Sequence, residues 1–293
     1  MGYMKIPNLY KDQTVLLLKE CFALEKVHGT SARVSWKDEV LTFFSGGAQY
    51  DTFVQIFDFD KLQEWFAENF TGFTVHVYGE AYGGKMQKMS AVYGPDLSFI
   101  AFEVQIDGHW LAVPQAAIVA EKLGMEFVPY TRVPAVVEAL DAERDRYSIV
   151  AERRGMGKDK PREGIVVRPI VELVTNANRV IAKHKGEAFR ETASPRFVAD
   201  PNKLKQLTQA DEIAREWVTP MRLQHVLDKI PGVAEGLDMS HTPFVIQAMV
   251  ADVLAEAGSE IVDNQVVRKA IAKEAAVLFK RHISTLLSGE HNA

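Results

Sequence analysis

A lysine becomes a nucleophile when burial or neighbouring cations disfavour its proton. The segment Leu24-Glu25-Lys26-Val27-His28-Gly29-Thr30 sets such a lysine at the end of an alternating stretch, just before a glycine-containing turn. Backbone N–H groups of the turn would then lie beside the amine. The pattern Lys-x-x-Gly also occurs at Lys183 and Lys229, so spacing alone does not single out Lys26. An ordered set of further groups does. Tyr78-Gly79-Glu80 ends a second stretch with a carboxylate, an acceptor-only group when ionised. Phe102 lies within Phe99-Ile100-Ala101-Phe102-Glu103-Val104, and Glu163 opens Glu163-Gly164-Ile165-Val166-Val167. In Ile181-Ala182-Lys183-His184-Lys185 two ammonium groups share one face of a strand, because residues i and i+2 point the same way. His28 has no histidine or carboxylate at ligand spacing, so it does not read as a metal ligand. The single cysteine, Cys21, rules out a thiolate-rich zinc site and an intrachain disulfide.

The charge pattern sharpens this picture. The 293 residues carry 34 Lys+Arg and 39 Asp+Glu, a formal net charge of −5. Taken as an average, that argues against a general nucleic-acid binder. The average hides an asymmetry: Arg144 to Arg190 holds twelve basic and six acidic residues, a local excess of +6, so the rest sums to −11. A basic stretch on an acidic chain points to a localised anion site. No run approaches the roughly 18 apolar residues of a membrane span. The opening Met1-Gly2-Tyr3-Met4-Lys5-Ile6-Pro7 has no apolar signal segment. We therefore expect a cytoplasmic protein with no membrane partner.

Strands must position these groups. Alternation predicts strands over Cys21–Val27, Phe73–Tyr78, Leu97–Ile106 and Gly164–Val174, with Phe73, Val75 and Val77 on one face. Phe102 would share a face with Ile100, Val104 and Ile106. Helices are expected over Asp60–Phe70, Val113–Leu123 and Val133–Asp141, and a polar loop over Arg144–Arg162. Beyond Phe189 the texture becomes helical. Thr219-Pro220 and Thr242-Pro243 each place a capping residue before a proline suited to a first helical turn. Helices are expected over Lys203–Trp217, Pro220–Lys229, Pro243–Glu256 and Asn264–Leu287. The fold class is α+β: a mixed domain over residues 1–197, then a small all-helical C-terminal domain over 198–293.

The ordered set resembles the covalent nucleotidyltransferases, which include polynucleotide ligases and mRNA capping enzymes. Glu25 to Gly29 is similar to their motif I, Val77 to Glu80 to motif III and Phe102 to Asp107 to motif IIIa. Arg162 to Val167 is similar to motif IV, and Val180 to Lys185 to motif V. Lys-Val-His-Gly-Thr, with His28 where DNA ligases and capping enzymes usually carry Asp, resembles the RNA ligase 2 branch. Gly79-Glu80-Ala81-Tyr82-Gly83-Gly84 and the helical second domain resemble that branch too. The resemblance implies ATP-grasp-like antiparallel sheets with flanking helices. Two positions depart from it. Ser31 stands where Asn is usual, and Phe43-Phe44-Ser45-Gly46-Gly47 lacks an arginine that many relatives carry, leaving Arg33 as the nearest candidate.

The resemblance also implies roles. Lys26 would attack the α-phosphorus of ATP, and Glu80 would bind the ribose hydroxyls. Phe102 would stack on adenine, and the backbone of Glu25 and Gly29 would line the nucleotide. Glu163 would serve a Mg²⁺ or Mn²⁺ ion, a cation that takes few protein carboxylates. Lys183 and Lys185 would contact the α-phosphate, and His28 would serve the leaving pyrophosphate or the site geometry. Arg33, Lys85 and Lys88 would meet the nucleic acid. The implied function is ATP-dependent RNA ligation, sealing 3′-OH and 5′-phosphate ends at nicks in duplex RNA, as a monomer in RNA repair. The alternatives are a DNA or mixed RNA/DNA nick ligase, and a nucleotide- or RNA-binding protein without catalysis.

Overall fold

The computed structural model describes residues 3–175, 178–195, 198, 210–230 and 236–289. The chain divides into two compact units, Met1–Gly186 and Glu187–Ala293. Texture alone put a boundary near residue 197. The unit begins earlier because Glu191 accepts from Arg222, and the Ala193 N–H donates to the Glu216 carbonyl.

The first unit is built on strands. They are β1 (Glu20–Lys26), β2 (Thr30–Lys37), β3 (Val40–Ser45), β4 (Val75–Tyr82), β5 (Ser98–Ile106) and β6 (His109–Trp110). Then follow β7 (Glu126–Phe127), β8 (Tyr130–Pro134), β9 (Gly164–Pro169), β10 (Val174–Thr175), β11 (Asn178–Arg179) and β12 (Ala182–Lys185). Among the described residues they form a four-stranded sheet in the order β12-β9-β1-β8, a six-stranded sheet and the two-stranded ribbon β10-β11. The six-stranded sheet runs β3-β2-β4-β5-β6, with β7 on β5.

Helices cover one face of each sheet. They are α1 (Tyr50–Val54), α2 (Phe59–Asn69), α3 (Ser90–Tyr93), α4 (Val113–Lys122), α5 (Val137–Arg144) and α6 (Ile149–Arg153). Val34, Trp36, Val75 and Val77 of the six-stranded sheet pack with Phe53 of α1, Phe66 of α2 and Ala116 of α4 in one core. Each large side chain buried there contributes about 1.5–3 kcal/mol. On the four-stranded sheet α5 touches β1, β8, β9 and β12. Glu25, Ile165 and His184 are aligned on that face by register, and His184 reaches Asp141 of α5 at 2.6 Å.

Several expected boundaries move. The helix expected over Val133–Asp141 is present as α5 but begins later, at Val137, and runs on to Arg144: β8 continues to Pro134, whose ring disfavours helical geometry at Val133. The Arg144–Arg162 stretch contains α6, capped by the Ser148 hydroxyl on the Ala151 N–H. The run from Gly164 ends at Pro169, and β10 is separate. Phe73 lies before β4 and is exposed. A β-bulge between β4 and β5 breaks the expected alternation. Tyr78 pairs with Glu103 and Gly79 with Ala101, so Phe102 has no partner, and Ile100 and Val104 fall on opposite faces.

The second unit packs α7 (Ala210–Trp217), α8 (Pro220–Leu227), α9 (Thr242–Ala257) and α10 (Gln265–Gly289). Trp217, Val245, Met249, Ile271 and Phe279 form its centre. The expected helix start at Lys203 lies outside the described residues. Thr219 caps α8 as expected, through the Arg222 N–H at 3.3 Å. Thr242 does not cap α9: it is the first helical residue, and its hydroxyl donates back to the Met239 carbonyl at 2.6 Å. No helix among the described residues is long and apolar enough to cross a membrane.

Candidate active site

The uncovered faces of the two sheets carry the chemistry. On the four-stranded sheet, register aligns Lys26 with Gly164 and Gly164 with Lys185, while Val166 aligns with Leu24 and Lys183. Cross-strand partners share a face. Lys26, Lys183 and Lys185 therefore project together. The close packing needs glycine at Gly164: its φ is 150°, and an added Cβ would lie 2.2 Å from the His184 carbonyl oxygen.

Glu163 collects two of these lysines, Lys26 and Lys185, together with His28. One of its oxygens, Oε2, lies 2.8 Å from Lys26 Nζ and 3.1 Å from His28 Nδ1, and Oε1 lies 3.0 Å from Lys185 Nζ. Burial alone would push its carboxyl up. Lys26, Lys185 and His28 outweigh burial and hold it well below the ordinary glutamate range. His28 thus gains a carboxylate companion, one too far along the chain for ligand spacing to reveal.

Glu80 faces this cluster from the six-stranded sheet. Burial raises its carboxyl to about 7 against the pull of Lys26, with Glu163 adding repulsion and the Gly29 backbone N–H lending a hydrogen bond. The turn between β1 and β2 fits against β4 only with glycine: a Cβ on Gly29 would sit 2.2 Å from the Ala81 carbonyl oxygen. Ser31 pairs with Glu80, and Arg33 with Tyr78, so Arg33 shares the face of Glu80. Its guanidinium lies 5.8 Å from the Tyr78 ring centroid. Phe102 projects from the bulge.

Glu25 shows a different use. Its side chain lies on the helix-covered face, accepting from the Ser148 hydroxyl at 2.5 Å and the Ile149 N–H at 3.0 Å, with Arg162 at 3.6 Å. It ties the lysine strand to α6 and to the start of β9. Lys85 and Lys88 are exposed on the loop after β4, where Gln87 and Lys88 both adopt left-handed backbone at φ 50° and 56°.

Three site-face groups escape sequence reasoning. Arg168 is aligned with Phe22 on the face of Lys26 and contacts Glu103 of β5 at 3.0 Å, joining the two sheets. Arg179 contacts Glu103 at 2.7 Å and lies 4.0 Å from the Trp110 ring centroid. Arg168 was detectable as the next alternate position after Gly164 and Val166; Glu103 and Arg179 carry no such signal. Much of the basic stretch is paired, mostly with carboxylates from outside it. Arg146 pairs with Glu143, Arg153 with Glu126, Lys158 with Glu152, and Arg162 with Glu25 and Glu143.

Among the described residues no group of three or more His, Cys, Asp and Glu could hold a metal ion. A magnesium-like ion suits one carboxylate supplemented by phosphate oxygens and water, and Glu163 is a carboxylate that could serve one.

The family model described as RNA ligase matches residues 19–185. Solved structures with the same fold include a Naegleria gruberi RNA ligase variant with ATP and Mn (14% identity, TM-score 0.51). Another is a variant of that ligase with AMP and Mn (12% identity, TM-score 0.50). Each match covers 64% of this chain and 57% of the neighbour. The chain thus spans little more than half the length of the structures it resembles. No curated protein matches the sequence.

The two carboxylates should affect stability with opposite signs. Glu163, depressed in the fold, stabilises it above the unfolded pKa, and that contribution is lost as pH falls through the folded value. Glu80, raised in the fold, holds a proton that the unfolded chain releases, so stability falls as pH rises from about 4.5 to about 7. Thermal unfolding of nucleotide-free Glu80→Gln should match the parent near pH 4 and exceed it at about pH 8. Glu163→Gln leaves Lys26 and Lys185 without their counter-ion and should lose about 3–5 kcal/mol at the higher pH. A Glu80→Gln protein less stable than the parent there would contradict the assignment.

Proposed function

The chain belongs to the RNA ligase family, and from that premise we propose that it is an ATP-dependent ligase sealing 3′-OH and 5′-phosphate RNA ends at nicks in duplexes. The observation that carries this reading is one face bearing Lys26, Lys183 and Lys185, with Lys26 and Lys185 paired to Glu163 and Glu80 opposed to them.

Three transfers follow. Lys26 Nζ, released from Glu163 and stripped of its proton, attacks the α-phosphorus of ATP; a P–N bond forms and pyrophosphate leaves. A 5′-phosphate oxygen of the RNA then attacks that phosphorus, the P–N bond breaks and the 5′ end carries AMP in a pyrophosphate linkage. Finally the 3′-hydroxyl loses its proton and attacks the RNA 5′-phosphorus, AMP leaves and a phosphodiester remains. Such steps depend on positioning and charge neutralisation.

Lys183 and Lys185 supply positive charge at the α-phosphate. Glu80 accepts from the ribose hydroxyls, Phe102 stacks on the base, and Glu25 and Gly29 line the nucleotide through their backbone. His28, against Glu163, keeps the carboxylate and the turn in place beside the departing pyrophosphate. Glu163 would hold a Mg²⁺ or Mn²⁺ ion with phosphate oxygens and water. When bound, that ion would neutralise phosphate charge in the transition state. Arg33, Lys85 and Lys88 meet the RNA. The reading includes a monomer acting in the cytoplasm.

Lys26→Ala and Lys26→Arg should each abolish transfer of label from α-labelled ATP to the protein; normal labelling of either folded variant would overturn the adenylation chemistry. Raising salt from about 50 to about 200 mM should weaken end-joining far more than self-adenylation, because only joining requires contacts to a polyanion. Equal sensitivity of the two steps would contradict the assigned RNA surface. Single-stranded RNA, nicked RNA, nicked DNA and the two hybrids, tested in parallel, should show nicked RNA sealed fastest. Faster sealing of nicked DNA would favour the DNA-ligase alternative.

A further inference from the structure

The segment Tyr3–Leu9, ahead of β1, reaches both sheets. At one end it pairs with the lysine strand. The Leu9 N–H donates to the Lys183 carbonyl and the Lys183 N–H donates to the Pro7 carbonyl, each at 2.8 Å. Both backbone groups of Lys183 are thereby held by this segment, at the edge of the four-stranded sheet.

At the other end Tyr3 rests on the six-stranded sheet. Its N–H donates to Ser31 Oγ at 3.2 Å. Ser31 is aligned with Glu80, so the tether sits beside the carboxylate of the site. The Tyr3 phenol donates to Glu103 and accepts from Arg179 at 3.0 Å. Burial, then the Glu103 charge, push that phenol well above the ordinary tyrosine range, so it remains a donor. The ring stands edge-on to Phe102 at 5.0 Å, to Tyr78 at 5.2 Å and to Trp110 at 5.9 Å.

Phe102 needs such support. As the unpaired residue of the bulge it has no cross-strand neighbour on β4 to fix its ring. We propose that Tyr3 is a positioning residue for the nucleotide base: it fixes the Phe102 ring for stacking, while Pro7 and Leu9 fix the backbone of Lys183. One strap thereby sets the spacing between the base-stacking and phosphate-binding groups. The proposal rests on the adenylation reading above. Ser31 acquires a reason on this account, since its short hydroxyl reaches the strap.

An edge-to-face ring contact of this kind shifts an equilibrium by about two- to tenfold. The test uses full-length Tyr3→Ala and Tyr3→Phe. KM for ATP and the maximal rate of lysyl-AMP formation are measured alongside the equilibrium ATP affinity and thermal midpoint. Tyr3→Ala should raise KM and the dissociation constant together by about five- to tenfold, with the maximal rate within about twofold of the parent. Tyr3→Phe keeps the ring but loses the Glu103 and Arg179 bonds, and should shift both constants about two- to threefold. A structural role alone would lower the thermal midpoint and leave both constants unmoved; that result overturns the proposal. Should Tyr3→Ala not fold, unchanged constants in Tyr3→Phe overturn it equally. Absence of any AMP adduct in the unsubstituted protein would overturn the adenylation reading itself. An adduct with unaltered ATP dependence in the variants overturns this inference alone.

Discussion

A single buried carboxylate sets the terms for the rest of the first unit. Glu163 is 1% exposed, and Lys26, Lys185 and His28 reach it from a strand end, a second strand and a turn. A carboxylate so buried is costly unless paired, and buried ammonium groups are no less so. Each therefore requires the others, which ties together the strands and the turn that carry them. The same pairing imposes a functional condition. In the proposed adenylation the Lys26 amine begins as the partner of Glu163, so phosphate binding would have to reorganise this cluster before the amine could attack. Lys183 and Lys185 stand on the same face, where in the proposed reaction an incoming phosphate would compete with Glu163 for Lys26 and Lys185.

Geometry at the strand ends makes that cluster possible. Gly164 lets β9 approach β12, and Gly29 lets the turn after the lysine press against β4; in both places a Cβ would meet a carbonyl oxygen at 2.2 Å. The second glycine also delivers the N–H that supports Glu80. The residue opposing the cations is thus held by the turn that follows Lys26, and motif order along the chain becomes mutual contact in space. Glu25 extends the arrangement outward. On the far face of the lysine strand it binds Ser148 and the N-terminus of α6, anchoring the stretch that leads into Arg162 and Glu163.

Much of this was legible in the sequence because strand alternation is local. Lys183 and Lys185 were placed on one face from their spacing, and register with Val166 and Gly164 puts them there. Of the two caps expected in the second unit, Thr219 accepts from the N–H three residues on, whereas Thr242 is the first residue of its helix rather than its cap. What could not be read depends on pairing between distant segments. The bulge that frees Phe102 exists only relative to β4. The partners of Arg168 and Arg179 come from β5 and from the loop after β9, where Glu172 meets both arginines. Pro134 and Ser148 did carry local signals for the β8 end and the α6 start, but the apolar Val133-Pro134-Ala135-Val136-Val137 run and the charge around Ser148 masked them.

The charge arithmetic changes meaning once these partners are known. The excess of +6 between Arg144 and Arg190 is arithmetically real, yet it does not form a basic surface. Glu126 takes Arg153, Glu143 takes Arg146, and Glu103 serves Arg168 and Arg179. Several of those carboxylates come from outside the stretch, so the acidic remainder of the chain neutralises the basic part. The lysines of the proposed site that remain are Lys26, Lys183 and Lys185 on one sheet face and the exposed Lys85 and Lys88. Charge concentrated in this way would suit the proposed ligase, which would hold one triphosphate and one nucleic-acid end in register. A uniformly basic surface would bind the polymer along its whole length and would leave the position of the break unselected.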